Sequence, residues 1–334
     1  MKRMYLVLTL IYFFSPHTSF ANESFINHKQ VYSYRVLEQD IKQLEKQYGD
    51  VIRVTSIGRS YLGRELWAIK LGKGNSNILM IGSHHGREWM TTSILMKMLE
   101  EYAKAYQKRT IYGSHSDKLL DKVSIWFVPM LNPDGVMIQQ NGIEDFSFIR
   151  RWKLKRMNEG SNDFARWKAN AKGIDLNRQY PSGWEQIKAG PTKPYYQFYK
   201  GKKPLQAREV VAITHFTKKV KPTIAVAYHS SGREVFWNYK NGKNLGRDRR
   251  IAEKVAKTTK YQLSKPSKNA TGAGYTDWFI TNFHLPAITI EICPFVKETS
   301  PPLSLFEEEW ERNREVGFIL IKEASNIPNN NNKK

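Results

Sequence analysis

Four short apolar runs each stop abruptly at a polar group able to hold a ligand, and this recurrence limits the folds open to the chain. Asn77-Ile78-Leu79-Met80-Ile81-Gly82 leads straight into Ser83-His84-His85-Gly86-Arg87-Glu88. Residues 123–129 end before Asn132-Pro133-Asp134-Gly135, residues 223–228 end at His229, and residues 287–290 end at Glu291. Runs of this length and composition read as buried strands, as do residues 51–54 and 66–71, which flank a turn-rich stretch at 58–63. Residues 36–48, 89–106, 207–217, 245–259 and 306–324 carry the longer period of helices. Such alternation predicts an α/β fold with helices on both faces of a largely parallel or mixed sheet. Open sheets of this kind place their ligand crevice at the carboxyl ends of the strands, where these polar groups stand.

The chain opens with Met1-Lys2-Arg3, an apolar run over about residues 5–14, and then small residues up to Ala21. This order predicts a secretory signal in residues 1–21, with Ser19 and Ala21 at the two small positions before the cut. The run is too short for a lasting membrane anchor, and no later segment is long and apolar enough to span a bilayer. Residues 22–325 are expected to form one domain, large enough to bury a sizeable core, and the Asn-rich residues 326–334 a disordered tail. Cys293 is the only cysteine, so no intrachain disulfide forms; following a buried strand, it reads as an inert core thiol.

The formal charge is +22, or +20 without Lys2 and Arg3. Such an excess favours anionic partners. Nucleic acid is a poor fit, because zinc-finger spacing and a repeated aromatic-basic platform are both missing and the chain opens with an export signal. A secreted, periplasmic or wall-associated protein would instead meet wall polymers rich in phosphate or carboxylate. Residues 142–173 form a long basic and aromatic segment containing Arg150-Arg151-Trp152-Lys153-Leu154-Lys155-Arg156. A loop of that length inside a compact domain is often functional.

Several residues at strand ends have the chemistry of a catalytic metal site. His85 and Glu88 form a His-x-x-Glu pair, and His229 adds a third ligand from a distant strand. Three such groups with an open fourth position suit catalytic zinc. Spacing alone does not choose between His84 and His85. Glu291 ends a buried strand, where a carboxylate is costly unless it has a task such as general base. Asn177 and Arg178 together make a planar receptor for a carboxylate, and Asp175 is placed to orient a ligand histidine.

In order, His85-x-x-Glu88, Asn177-Arg178, His229 and Glu291 resemble the zinc metallocarboxypeptidases of the carboxypeptidase A type, over roughly residues 34–324. The resemblance implies a three-layer α/β/α sandwich around a mixed sheet of about eight strands. It implies one zinc ion on His85, Glu88 and His229, which decides for His85 over His84. It further implies Asp175 behind the first histidine, Arg178 and Asn177 on a substrate carboxylate, and Glu291 as general base. Gly173-Ile174-Asp175-Leu176-Asn177-Arg178-Gln179-Tyr180, Tyr228-His229-Ser230-Ser231-Gly232 and Gly272-Ala273-Gly274-Tyr275-Thr276-Asp277-Trp278-Phe279 are similar, more narrowly, to bacterial γ-D-glutamyl-meso-diaminopimelate peptidases. Those enzymes cut peptidoglycan stem peptides.

Three departures from the digestive enzymes of the family stand out. The arginine that polarises the scissile carbonyl is matched by Lys168, with Arg166 as the alternative from a shifted backbone. Lysine keeps the charge but lacks the bidentate fork. No tyrosine near Asn269 matches the mobile substrate-binding tyrosine, and neither Tyr261 nor Tyr275 inherits that role. Thr276 occupies the position that sets specificity and, with its glycine neighbours, leaves room for a polar side chain such as that of diaminopimelate. The expected activity is zinc-dependent hydrolysis of an amide bond in peptidoglycan stem peptides. The alternatives are a secreted metallocarboxypeptidase acting on ordinary peptides and a non-catalytic wall-binding protein.

Overall fold

The computed structural model describes residues 24–265 and 271–328. The expected signal, the Asn269 region and the tail beyond Pro328 lie outside the described residues.

One eight-stranded sheet organises the molecule, in the order β1-β2-β4-β3-β5-β8-β6-β7. Its strands are β1 (Ile52–Arg59), β2 (Glu65–Leu71), β3 (Ser76–Ile81), β4 (Val123–Val128), β5 (Ile224–Ser230), β6 (Glu234–Phe236), β7 (Gln262–Ser264) and β8 (Ala287–Ile292). The central run β4-β3-β5-β8 is parallel, while β1, β2 and β6 join antiparallel neighbours. The sheet is therefore mixed.

Alternation along the central strands shows why they read as unbroken apolar runs. Ile78 and Met80 of β3 turn to one core while Leu79 and Ile81 turn to another; Val226 and Tyr228 of β5 oppose Ala225 and Ala227 in the same way. A strand covered on both faces has no polar side. The first face is covered by α1 (Tyr34–Tyr48), α2 (Met90–Gln107), α7 (Leu245–Thr259), α9 (Phe306–Asn313) and α10 (Val316–Ser325), through residues such as Leu44, Leu99, Val255, Trp310 and Leu320. The second is covered by α6 (Arg208–Val220) and α8 (Tyr275–Phe283), through Val210, Ile213 and Phe279. The three layers match the architecture that the resemblance implies.

The short α3 (Leu119–Lys122) precedes β4, and two further helices correct the sequence reading. Pro133–Asn141 forms α4, entered through Asn132, whose side chain caps Gly135 N while Pro133 takes the first helical position. Asn followed by Pro is a helix-start signal as well as the end of the preceding strand's loop. Phe148–Met157 forms α5, so the segment expected as one long loop contains a ten-residue helix. Conversely, the helix expected over 306–324 is two helices parted at Arg314 and Glu315. Tyr102 sits at that break, its hydroxyl donating to Arg314 O and accepting from Gly317 N. Ile327 packs into the first core. No described helix is long and apolar enough to cross a membrane.

Candidate active site

β3 delivers the chain to His85 and Glu88 through a tight passage. A side chain on Gly86 would place its first carbon 2.4 Å from Gly135 O, so only glycine lets the motif lie this close to α4. His85 Nε2 lies 3.0 Å from Asp175 Oδ1, and its Nδ1 lies 2.8 Å from Glu88 Oε1. His229, near the end of β5, places Nδ1 2.9 Å from Glu88 Oε2 and 3.1 Å from His85 Nδ1. The three ligand atoms fall within 4.8 Å of one another, and all three residues are buried.

This arrangement fits a shared cation. With Asp175 at Nε2, His85 presents Nδ1 toward the Glu88 carboxylate and the second imidazole. Lone pairs and a carboxylate converging at these distances repel one another unless a positive centre lies among them. Two nitrogens and a carboxylate are ligands of the kind catalytic zinc takes. Burial depresses the His229 pKa against the opposing pull of Glu88, which favours the neutral ring a metal requires. Burial raises the Glu88 carboxyl, but His85 and His229 outweigh that and hold it well below the usual range. Asp175 behaves similarly: burial is overcome by His85, then Lys168 and Arg178, and its carboxyl lies far below the ordinary value.

His84 is not part of the cluster. Its Nε2 lies 3.1 Å from the Tyr180 hydroxyl, its ring stacks on that of His229, and burial holds it neutral. It packs behind the ligands, as the choice of His85 requires.

Glu291 reaches the site because β8 runs parallel beside β5, in a register that sets Glu291 against His229. Burial and the neighbouring Glu88 charge push its carboxyl up to about 8, with Lys168 opposing. Lys168 lines the same cavity, its Nζ 3.9 Å from Glu88 Oε1. Arg166, the alternative, is committed elsewhere. Its guanidinium bonds Asn158 and Glu159 and lies over the Tyr196 ring, outside the cavity. The cation that spacing overlooked is Arg87, inside the His-x-x-Glu motif itself. It lines the cavity while its Nη1 donates to Arg166 O and Gln197 Oε1.

Asn177, Arg178 and Thr276 line the same cavity, of about 520 Å3. Arg178 Nε lies 3.9 Å from Asp175 Oδ2, and its guanidinium also sits over the Phe198 ring. Asn177 Oδ1 accepts from Tyr275 N, which leaves the NH2 as the donating half of its amide. Thr276 Oγ1 meets Thr289 Oγ1 at 3.0 Å. Tyr275 and Tyr261 are buried, with hydroxyls bonded to Thr217 and Glu309, consistent with neither being a mobile substrate-binding residue. Cys293 is buried and its thiol pushed well up by burial, so it is inert at neutral pH.

The segment carrying Lys168, Asp175, Asn177 and Arg178 has an unusual support. From α5 to α6 it holds only short 3-10 turns, so its backbone groups need partners other than helix or sheet. Buried amides supply them: Asn132 Nδ2 donates to His84 O and Ala169 O, and Gln179 Oε1 accepts from Gln206 N and Ala207 N. Asn170 Oδ1 accepts from Lys172 N and Ile174 N, while its Nδ2 donates to buried Glu209.

Comparison with known proteins agrees with this geometry. The sequence profile of the zinc carboxypeptidase family matches residues 37–316. The chain is 33% identical over 288 residues to the uncharacterised protein YqgT of Bacillus subtilis, covering 84% of this chain and 75% of that one. It is also 33% identical over 270 residues to γ-D-glutamyl-L-diamino acid endopeptidase 1 of Lysinibacillus sphaericus, covering 80% and 67%. Among solved structures, bovine thrombin-activatable fibrinolysis inhibitor superposes with a TM-score of 0.71 at 17% identity, over 90% of this chain and 99% of that one. Carboxypeptidase A of Helicoverpa armigera gives 0.69 at 16%, over 90% and 75%. Because the matched profile spans the His85-Glu88-His229 cluster, the Asn177-Arg178 pair and Glu291, the chain belongs to the zinc carboxypeptidase family.

Proposed function

We propose that the protein hydrolyses an amide bond in peptidoglycan stem peptides, that between D-glutamate and meso-diaminopimelate, with one zinc ion held by His85, Glu88 and His229. The observation that carries this reading is a single cavity joining that ligand cluster and Glu291 to Lys168, Asn177 and Arg178. A relative named for cutting γ-D-glutamyl-L-diamino acid bonds supports the choice of substrate.

Zinc bound there supplies a Lewis acid that activates water and polarises a carbonyl. Glu291 receives the proton of the attacking water and delivers it to the departing amine. Its carboxyl, raised by burial, needs the field of a nearby cation to be ionised and ready. Lys168 brings positive charge to the carbonyl oxygen, as a point charge rather than a fork. Arg178 and the Asn177 amide hold the leaving residue's carboxylate. Asp175 keeps His85 in the ligating tautomer.

Residues 1–21 read as an export signal, which would bring the enzyme to the wall. There α5 offers an exposed face with Arg150, Lys153, Lys155 and Arg156 and no acidic residue, suited to retention on anionic polymers. The test is incubation of zinc-loaded protein with defined muropeptides and mass identification of the products. Cleavage between D-glutamate and diaminopimelate is expected. Release of carboxy-terminal residues from ordinary L-peptides, with stems left intact, would replace the proposal by a general carboxypeptidase. Wall binding without any hydrolysis would leave a wall-binding protein.

A further inference from the structure

The cavity holds one carboxylate that neither the reaction nor a backbone N–H engages. Among the acids lining it, Glu88 contacts His85 and His229, Asp175 contacts His85, and Asp277 accepts from Gly272 N at 2.7 Å. Glu291 is the base. Glu234 remains. It stands on β6 directly opposite Glu291 of β8, with Phe236 opposite Thr289 in the next row. Residues paired across antiparallel strands share a face, so Glu234 and Glu291 look into the cavity side by side.

Two like charges directly opposed are unfavourable unless a cation offsets them. Among the described residues, Glu234 Oε1 accepts from Ser264 Oγ at 2.9 Å. Its other oxygen, Oε2, faces Gly232, where an added side chain would press within 3.1 Å of it. The surroundings thus hold Oε1 and keep space at Oε2. Thr276 and Thr289, joined at the pocket wall, offer hydroxyls and no charge.

We infer that Glu234 Oε2 is a subsite for a substrate ammonium, the distal amine of a diamino acid on the leaving side. This rests on the reading of a diamino-acid substrate above and assigns the residue that reads its second amino group. Arg178 takes the carboxylate beside the scissile amine, Glu234 takes the ammonium at the far end of the side chain, and Phe236 packs against the methylenes between. Lys265, at the rim of the same cavity, is placed for a distal carboxylate when the diamino acid carries one. A site built to pair with a charged group rejects the isostere lacking it, because its own charge is then left unpaired.

Calorimetric titration of zinc-loaded protein with free L-lysine, meso-diaminopimelate and L-norleucine tests the assignment without relying on turnover. The wild type should bind both diamino acids at least about tenfold tighter than norleucine. Glu234→Gln should bring that ratio close to one, while Glu234→Asp retains a preference of the same sign. Absence of a preference in the wild type, or an unchanged ratio in Glu234→Gln, overturns the inference. Muropeptide hydrolysis is scored separately, so failure of the stem-peptide reading and failure of the ammonium subsite give different results.

Discussion

The cavity has two walls built on opposite principles. On one side, His85, His229 and Glu291 stand at or just beyond the ends of adjacent parallel strands, spaced by the sheet itself. On the other, Lys168, Asn177 and Arg178 belong to a stretch with only short 3-10 turns, held by Asn132, Asn170, Asp175, Gln179 and Glu209. In the proposed mechanism, metal ligation and proton transfer fall on the rigid wall, and recognition of the leaving residue's carboxylate falls on the other. Chemistry tolerates little displacement of its groups, whereas recognition can be altered by changing loops on a fixed frame.

The division predicts that Glu291 on the strand wall governs turnover and Arg178 on the loop wall governs affinity. Glu291→Gln should lower kcat by about 10^3-fold while zinc content and unfolding temperature stay at wild-type values. Near-normal hydrolysis by that variant would break the comparison at its strongest point.

The loop wall should show its buried acids in the pH dependence of stability. Burial, with the charge of Asp134 adding to it, pushes the Glu209 carboxyl from 4.5 up to about 7. A raised carboxyl favours the protonated folded state, so its contribution is complete below about 4.5 and is lost as pH rises through about 7. The loss is on the order of 3 kcal/mol. Urea unfolding across that window should show the wild type losing stability relative to Glu209→Gln as pH rises.

Arg178→Ala should raise KM roughly 30-fold for substrates with a free carboxylate on the leaving residue and change kcat much less. A fall confined to kcat would move Arg178 to the chemical side. Lys168→Ala should cost about tenfold in kcat, against less than about twofold for Arg166→Ala, whose guanidinium faces away from the cavity. Smallest of all, reversing charge at Arg150, Lys153 and Arg156 should leave kcat/KM on a soluble muropeptide within about twofold and weaken co-sedimentation with wall material, most clearly at low salt.

Most of the strand wall was legible in the sequence. A strand buried on both faces must be continuously apolar, so a histidine or glutamate at its end stands out, and parallel pairing brings such ends together. The helices α3, α4, α5 and α8 and the strands β6 and β7 are not legible in the sequence periodicity. Phe236 and Glu234 lie in a three-residue strand, too short for periodicity to register, and thereby the carboxylate opposite Glu291 was missed. Arg87 was overlooked because it sits within a motif read only for its ligands.

By itself, the sequence determined the α/β layering and the buried strands at or beyond whose ends His85, His229 and Glu291 stand, because burial imposes a pattern along the chain; the choice of His85 over His84 as a candidate ligand came from the family resemblance. Only the tertiary structure decided that Lys168 and Arg87, and not Arg166, face the cavity, and that Glu234 shares a wall with Glu291. Those outcomes depend on hydrogen bonds between residues far apart in the chain, such as Arg87 to Gln197 and Asn170 to Glu209. Contacts of that kind leave no periodic trace in the residues that make them.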